Sequence, residues 1–130
     1  QSLARFGDRI IRKPFHDYVN LQRMIGQVEF NLMPLQNNAF TNCKSELKYF
    51  EAAVVGTLSI ASPSKNYVAA ISNRENGYIA RAHQWTSVIQ YAIENIEKYS
   101  EMARQAHADS LLKFACFMQR ENILQALGFE

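Results

Sequence analysis

Apolar and polar positions along this chain follow two rhythms, and the change between them divides it. Val28, Phe30 and Leu32 alternate with Glu29 and Asn31, the period-two pattern of a strand. Pro34, which cannot donate to a ladder, ends the run, so a strand is predicted over Val28 to Met33. Before it, Tyr18, Leu21, Met24 and Ile25 fall at helical spacing within Asp17 to Ile25, and Gly26 stops that helix. Ile10 and Ile11, bounded by charged residues and followed by Pro14, predict a short opening strand. Beyond Pro34, a helix carrying Leu47, Phe50, Val54 and Val55 closes at Gly56. Leu58 to Ser62 reads as a buried strand, Pro63 as a turn, Asn66 to Ile71 as a short helix, Asn73 to Gly77 as a turn and Tyr78 to Ala80 as the last strand.

From Trp85 onward the period-two pattern disappears. Trp85, Val88, Ile89, Ala92, Ile93 and Ile96 recur at helical intervals. Met102, Ala106, Leu111, Leu112, Ala115 and Phe117 suggest a second helix, and Asn122 to Leu127 a short final one. Strands alternating with helices across short connections imply parallel pairing through crossover helices. The expected fold is α/β, a Rossmann-like open parallel sheet with helices on both faces and a C-terminal helical segment. About four strands are visible, fewer than the five or six usual for a doubly wound domain, so an N-terminal truncation is expected.

Composition changes this picture little. At 130 residues, with 48% hydrophobic and 20% charged positions, one globular domain is expected that needs no disulfide. A net charge of +2 is too small for a nucleic-acid partner, so any bound anion must be held locally. Cys43 and Cys116 show no metal-ligand spacing and read as free thiols of a reducing compartment. No stretch approaches the roughly 20 apolar residues of a membrane span, and the N-terminus lacks a signal peptide's apolar core. A cytoplasmic chain is expected.

The candidate chemistry gathers where strands end. Ligands of open α/β sheets sit beyond the carboxyl ends of the strands, which groups the Gln36–Ser45 loop with the Ser62–Lys65 turn. Lys44, Ser45, Ser62, Ser64 and Lys65 would then share one rim. Lys44 and Ser45 at a helix start suit a phosphate; Ser45 read as a helix N-cap on a solvated face is the plainer alternative. Glu51, among Leu47, Phe50, Ala52 and Ala53, would accept the two donors of a ribose diol or else pair with Lys48 on the surface. His16, His83 and His107 have no metal spacing and read as loop, cap or helix-surface residues. Cys43 lacks a nearby base and reads as structural. Phe50, Trp85, Tyr91, Phe114 and Phe117 read as core, while Tyr49 and Tyr67 could face either core or rim. There is no Gly-x-Gly-x-x-Gly and no phosphate-cradling Gly-rich loop ending in Lys-Ser/Thr, which disfavours classical dinucleotide enzymes and P-loop ATPases.

Pro34-Leu35, then Phe40-Thr41-Asn42-Cys43-Lys44-Ser45-Glu46-Leu47-Lys48-Tyr49-Phe50-Glu51-Ala52-Ala53, Gly56, Ser59-Ile60-Ala61-Ser62 and Glu75-Asn76-Gly77 occur in an order that resembles the C-terminal donor-binding domain of GT-B glycosyltransferases. The similarity is to the retaining group that includes bacterial polysaccharide and lipopolysaccharide enzymes, and it runs from about Arg9 to Ala108. The resemblance implies that residues 1–130 are the partial C-terminal, nucleotide-sugar-binding domain of a two-domain enzyme. It implies that Glu51 binds the donor ribose. It also implies that Lys44 and Ser45, helped by the backbone N–H groups of Glu46 and Leu47, bind the diphosphate without a metal or other cofactor.

Two positions depart from the pattern. Cys43 stands eight residues before Glu51, where many relatives carry an acid that touches the transferred sugar, and Gly56-Thr57-Leu58 replaces the common Gly-x-Pro. The family's basic residues early in this domain and its N-terminal acceptor domain have no counterpart, so the 130 residues alone are expected not to catalyse transfer, and no catalytic residue is assigned. The implied partners are a nucleotide-diphosphate sugar, an N-terminal acceptor-binding domain of the same parent chain docking near Phe117, Leu127 or Phe129, and a glycan or lipid-linked acceptor. Peripheral association with the inner face of the membrane would run through the missing half. The alternatives are a flavodoxin-like regulatory or interaction module, marked by an acidic cluster at the strand ends, and a non-catalytic member with a neutral or occluded crevice.

Overall fold

The computed structural model describes residues 4–128, and Phe129 lies outside them. Helix α1 (Tyr18–Ile25) leads to strand β1 (Phe30–Met33). Two helices, α2 (Ala39–Asn42) and α3 (Leu47–Ala53), precede β2 (Leu58–Ala61), and α4 (Lys65–Ala70) precedes β3 (Tyr78–Ile79). The C-terminal segment is helical, with α5 (Trp85–Glu94), α6 (Tyr99–Phe114) and α7 (Arg120–Ala126). The strands form a three-stranded sheet in the order β1-β2-β3, parallel throughout. The open parallel α/β architecture is therefore the one the alternating pattern implies. Among the described residues no helix is long and apolar enough to cross a membrane.

Among the described residues the sheet has three strands rather than four. Ile10 and Ile11 pair with nothing and Ile11 is 77% exposed, because two β-branched residues between charges, close before a proline, bring no partner strand with them. The pattern was also too long at β1, which starts at Phe30, and at α6, which stops at Phe114. Phe117 is 68% exposed, so it belongs to no core, and Leu127 is exposed with it.

Local chemistry sets the element ends. Asp17 caps α1 by accepting from the Asn20 N–H at 3.1 Å. Gly26 ends that helix in an ordinary right-handed conformation, and a Cβ there would stand 3.4 Å from Val55 Cβ, so close packing rather than a left-handed turn suits glycine. After α3, Gly56 does take a positive φ of 80°. Its N–H donates to Ala53 O at 3.1 Å while the Thr57 N–H reaches Ala52 O at 2.9 Å, the paired bonds of a Schellman stop. The buried Thr57 hydroxyl then donates to Ile25 O at 2.7 Å, with Val28 O at 3.1 Å. One side chain thus ties the end of α1 to the entry of β1.

All four residues of β2 are buried, so both faces of the middle strand are covered, as a parallel sheet requires. By register Phe30, Leu58, Ile60 and Tyr78 share one face. Phe30 packs edge-on against Tyr78 and Tyr99, at ring centroid distances of 6.3 and 5.9 Å, and Tyr78 packs against Tyr91 at 6.3 Å. These contacts fasten α5 and α6 to the sheet. Helices α3 and α6 pack on each other and on β2, with Phe50 against Phe114 at 5.7 Å.

Tyr49, of the two tyrosines with open assignments, is core: it is fully buried between these helices. Burial pushes its phenol up to about 12 from 10.0; the adjacent Ser110 hydroxyl pulls back slightly and the Asp109 carboxylate adds to the rise. Neither hydroxyl completes a hydrogen bond.

Two outcomes are expected. The unfolded chain ionises Tyr49 near pH 10 and the folded chain only near 12, so the protonated form is favoured by folding. Stability from this group is whole below pH 10 and declines as pH rises toward 12. Tyr49→Phe should remove about 1.4 kcal/mol of that decline at pH 11, read from urea midpoints at pH 8 and 11; an unaltered difference between the two pH values would contradict the assignment. Gly56→Ala should cost ~1–2 kcal/mol through the left-handed backbone alone, since no atom lies within 4 Å of the added methyl. Gly56→Asn should lose less in the same thermal melt.

Candidate functional site

Because the three strands are parallel neighbours, their carboxyl ends open on one edge. There a cleft of about 880 Å³ is lined by Pro34–Asn37 after β1, Ser62–Ser64 after β2, and Arg81–His83 with Trp85 after β3. A smaller cleft of about 230 Å³ lies between Leu35, Lys44, Ser45, Leu47, Lys48 and Tyr67. Leu35 lines both, so the two adjoin across one side chain.

The rim is laced by its own polar groups. The Leu35 N–H donates to the Ser62 hydroxyl at 2.8 Å, fixing the loop after β1 to that after β2. Asn42 donates to Asn37 Oδ1 at 2.8 Å and to Asn38 O at 2.9 Å, and accepts from the Lys65 N–H at 2.9 Å. Asn66 donates to Lys44 O at 2.6 Å. The Gln36–Ser45 loop and the Ser62–Lys65 turn therefore do share the rim, as the sequence predicts. The loop contains a helix that the sequence pattern does not reveal: Asn38 and Thr41 form a capping box, Asn38 accepting from the Thr41 N–H at 2.9 Å and donating its own N–H to Thr41 Oγ1 at 3.2 Å. The Thr41 hydroxyl also donates to Gln36 O.

Among the residues singled out from sequence, Lys44, Ser45 and Leu47 line the smaller cleft. Ser45 does not cap α3; that position is taken by Glu46, which makes no side-chain cap bond. The backbone N–H groups of Glu46 and Leu47 donate to no backbone carbonyl, leaving orphan donors next to Lys44 and Ser45. The Lys44 ammonium stands 4.8 Å from the centre of the Phe40 ring. Glu51 is half-buried on α3, lines neither cleft, and forms no ion pair; the one ion pair among the described residues is Arg120–Glu121. It follows Lys48 by three positions and Leu47 by four, so it continues the helical face that lines the smaller cleft. Cys43 is exposed and free at the end of α2. Tyr67 is buried with an edge in the smaller cleft; burial, and to a lesser degree Glu46, push its phenol up, so it serves there as a neutral hydroxyl.

The sequence reading leaves Arg81 unassigned, and takes His83 as a loop or cap residue and Trp85 as core. The rule that drew attention to the ends of β1 and β2 applies equally to the end of β3, and following it there would have found them. Together the two clefts are lined by Arg81, His83, Lys44 and Lys48 and by no carboxylate. Such a rim attracts anions although the whole chain is nearly neutral.

No family model matches this chain, and no curated protein does. Among solved structures, the crystal structure of Anabaena Alr3699/HepE in complex with UDP-glucose superposes with a TM-score of 0.80 at 15% identity, over 97% of this chain and 34% of HepE. The complex of HepE with UDP and glucose superposes with a TM-score of 0.79, also at 15% identity, over 97% of this chain and 34% of HepE. The chain thus has the fold of one part of HepE and spans about a third of its length, which at this identity is a statement about fold.

Ser62→Ala should loosen the rim: the Leu35 N–H loses its acceptor, at a cost of about 1–2 kcal/mol. Faster amide exchange at Leu35 with little change at Leu58 or Ile60 is the expected reading; a uniform change across the sheet would show that Ser62 acts on the core instead.

Proposed function

We propose that this chain is the donor-binding part of a two-domain GT-B glycosyltransferase, taking a nucleotide-diphosphate sugar whose sugar passes, with retention, to a glycan or lipid-linked acceptor of polysaccharide or lipopolysaccharide type. The observation that carries the reading is the carboxylate-free lining of two adjoining clefts at the carboxyl edge of the sheet, with the cations Lys44, Lys48 and Arg81 and the imidazole of His83. The likeness of fold to a third of HepE, which was solved with UDP-glucose, supports it, as does the order of sequence pieces from Pro34 to Gly77. The edge lacks the acidic cluster of a flavodoxin-like receiver: the residues lining the clefts at the strand ends are basic, neutral or apolar.

In this reading the diphosphate lies over Lys44, Ser45 and the free N–H groups of Glu46 and Leu47. Glu51, one helical turn further along α3, accepts from the ribose hydroxyls. The sugar projects past Leu35 into the larger cleft, where Pro34, Pro63 and Trp85 supply apolar walls and Arg81 and His83 supply donors. Acceptor binding and the second half of the cleft belong to an N-terminal domain of the parent enzyme, so the 130 residues bind donor weakly and do not turn over. No metal or other cofactor takes part, and the parent works in the cytoplasm, at the inner face of the membrane when its acceptor is lipid-linked.

Titration of UDP-glucose into the chain, followed by amide chemical shifts, tests this. Perturbations should cluster at residues 35–37, 44–47 and 81–85. Lys44→Ala and Arg81→Ala should each weaken binding roughly tenfold, the order expected for one charged hydrogen bond. Glu51→Gln should weaken uridine as well as UDP-glucose, whereas Lys44→Ala should spare uridine. Equal affinity in all three variants and the parent sequence would reject the site.

A further inference from the structure

A third cleft, of about 350 Å³, shares no lining residue with the two at the rim. It is formed by the turn that follows α4, by β3 and by α5 with the residue before it. Two side-chain amides in its wall have their oxygens already in use. Asn73 Oδ1 accepts the Ile79 N–H at 2.9 Å, and Gln84 Oε1 accepts the Arg81 N–H at 3.2 Å. With each oxygen fixed on a backbone donor, what each amide has left to offer is its NH2 group. Arg74 adds a guanidinium to the same wall. It lies over the Tyr91 ring, 4.2 Å from the ring centre, so it is steadied by an aromatic face rather than by a counter-ion. Among the described residues Arg74 forms no ion pair.

The backbone that carries this guanidinium is strained. Arg74 has a φ of 70°, the left-handed region that glycine enters freely and arginine does not. Its N–H closes the turn on Gly77 O at 2.7 Å. Glycine would make that turn at less cost, but would bring no cation to the cleft. The remaining walls narrow the chemistry further. No carboxylate lines the cleft, and Ile79 and Val88 give it apolar sides. The Ser87 hydroxyl donates to Gln84 O at 2.9 Å, which leaves its oxygen free to accept. One end of the cleft's chemistry is thus all donors, suited to a planar oxyanion, and one group beside it takes a hydroxyl proton. A bare phosphate would leave Ser87 and the apolar sides unused.

We propose that this cleft binds a hydroxylated carboxylate of sugar-acid size. Arg74 and the NH2 groups of Asn73 and Gln84 hold the carboxylate, and one ligand hydroxyl donates to Ser87. The volume suits a single ring or a short chain. A free sugar acid and an acidic residue within a glycan present these same groups. The site goes beyond donor binding and needs no nucleotide, so either reading can fail alone.

Titration of D-glucuronate into the chain, followed by backbone and side-chain amide chemical shifts, tests this against D-glucose and inorganic phosphate. Glucuronate should move the Asn73 and Gln84 NH2 signals and the Arg74 and Ser87 backbone signals saturably. Glucose should leave them in place, and phosphate should bind at least tenfold more weakly. Arg74→Gly accepts the same φ, so it should keep the β2 amide shifts while weakening glucuronate about tenfold or more, the order of one charged hydrogen bond. Gln84→Glu keeps an acceptor for the Arg81 N–H but replaces the donor by a negative charge, and should weaken glucuronate at least as much. Methyl glucuronoside, with its anomeric oxygen blocked, separates the two sources: affinity equal to glucuronate assigns the site to a residue within a glycan, and lost affinity assigns it to the free acid. An equal response to glucose, phosphate binding as tightly as glucuronate, or unchanged affinity in Arg74→Gly would overturn the proposal.

Discussion

The constraint on which the structure depends is the complete burial of one short strand. Leu58 to Ala61 has both faces covered and a parallel neighbour on each side, so every backbone group must be paired in the sheet and every side chain packed. Serine and alanine at alternate positions let helices approach one face closely, while leucine and isoleucine fill the other beneath an aromatic cluster. Parallel pairing on both sides brings the three carboxyl ends to one edge. The site is therefore a consequence of the sheet's direction, and the loops that build it, though far apart in sequence, are hydrogen-bonded to one another because the strands beneath them are adjacent.

Most of the fold was legible because its signals are periodic and local. Pro34 ends the alternation of β1 and Gly56 ends α3 by accepting a left-handed φ, whereas the caps Asp17 and Ser64 were not read as such. What was not legible depended on partners. Ile10–Ile11 has strand chemistry but no neighbour, and a strand exists only as part of a ladder. Helix α2 is a single turn held by the reciprocal bonds of Asn38 and Thr41, too short to show a period. Phe117 continues the spacing of α6, but the helix has ended three residues earlier, and spacing alone does not show where packing stops.

The candidate site was half legible for a related reason. Lys44 and Ser45 stand beside a helix start that can be read in sequence, and Glu51 is found by counting along that helix. Arg81 and His83 are joined to them only through the order β1-β2-β3, which places the end of β3 beside that of β2. The basic character of the rim is likewise invisible in a net charge of +2, because it arises from the three cations that line the clefts, Lys44, Lys48 and Arg81, and from where the chain's 12 acidic residues are not.

The lacing of the rim has an electrostatic consequence for any anion that binds there. Asn37, Asn42, Ser62 and Asn66 use their polar groups on backbone and on each other, while among the described residues the ends of Lys44, Lys48 and Arg81 form no ion pair with a carboxylate. The framework is thus fixed before a ligand arrives, and the charges it carries need not be released from carboxylates first, so binding proceeds with little reorganisation. Glu51 makes the same surface directional. A phosphate beside that carboxylate would be repelled, whereas a ring bearing hydroxyl donors would be held. In the proposed reading, a ligand with a diphosphate between two hydroxylated rings would place its phosphates at the cations around Leu35 and turn one ring back along α3.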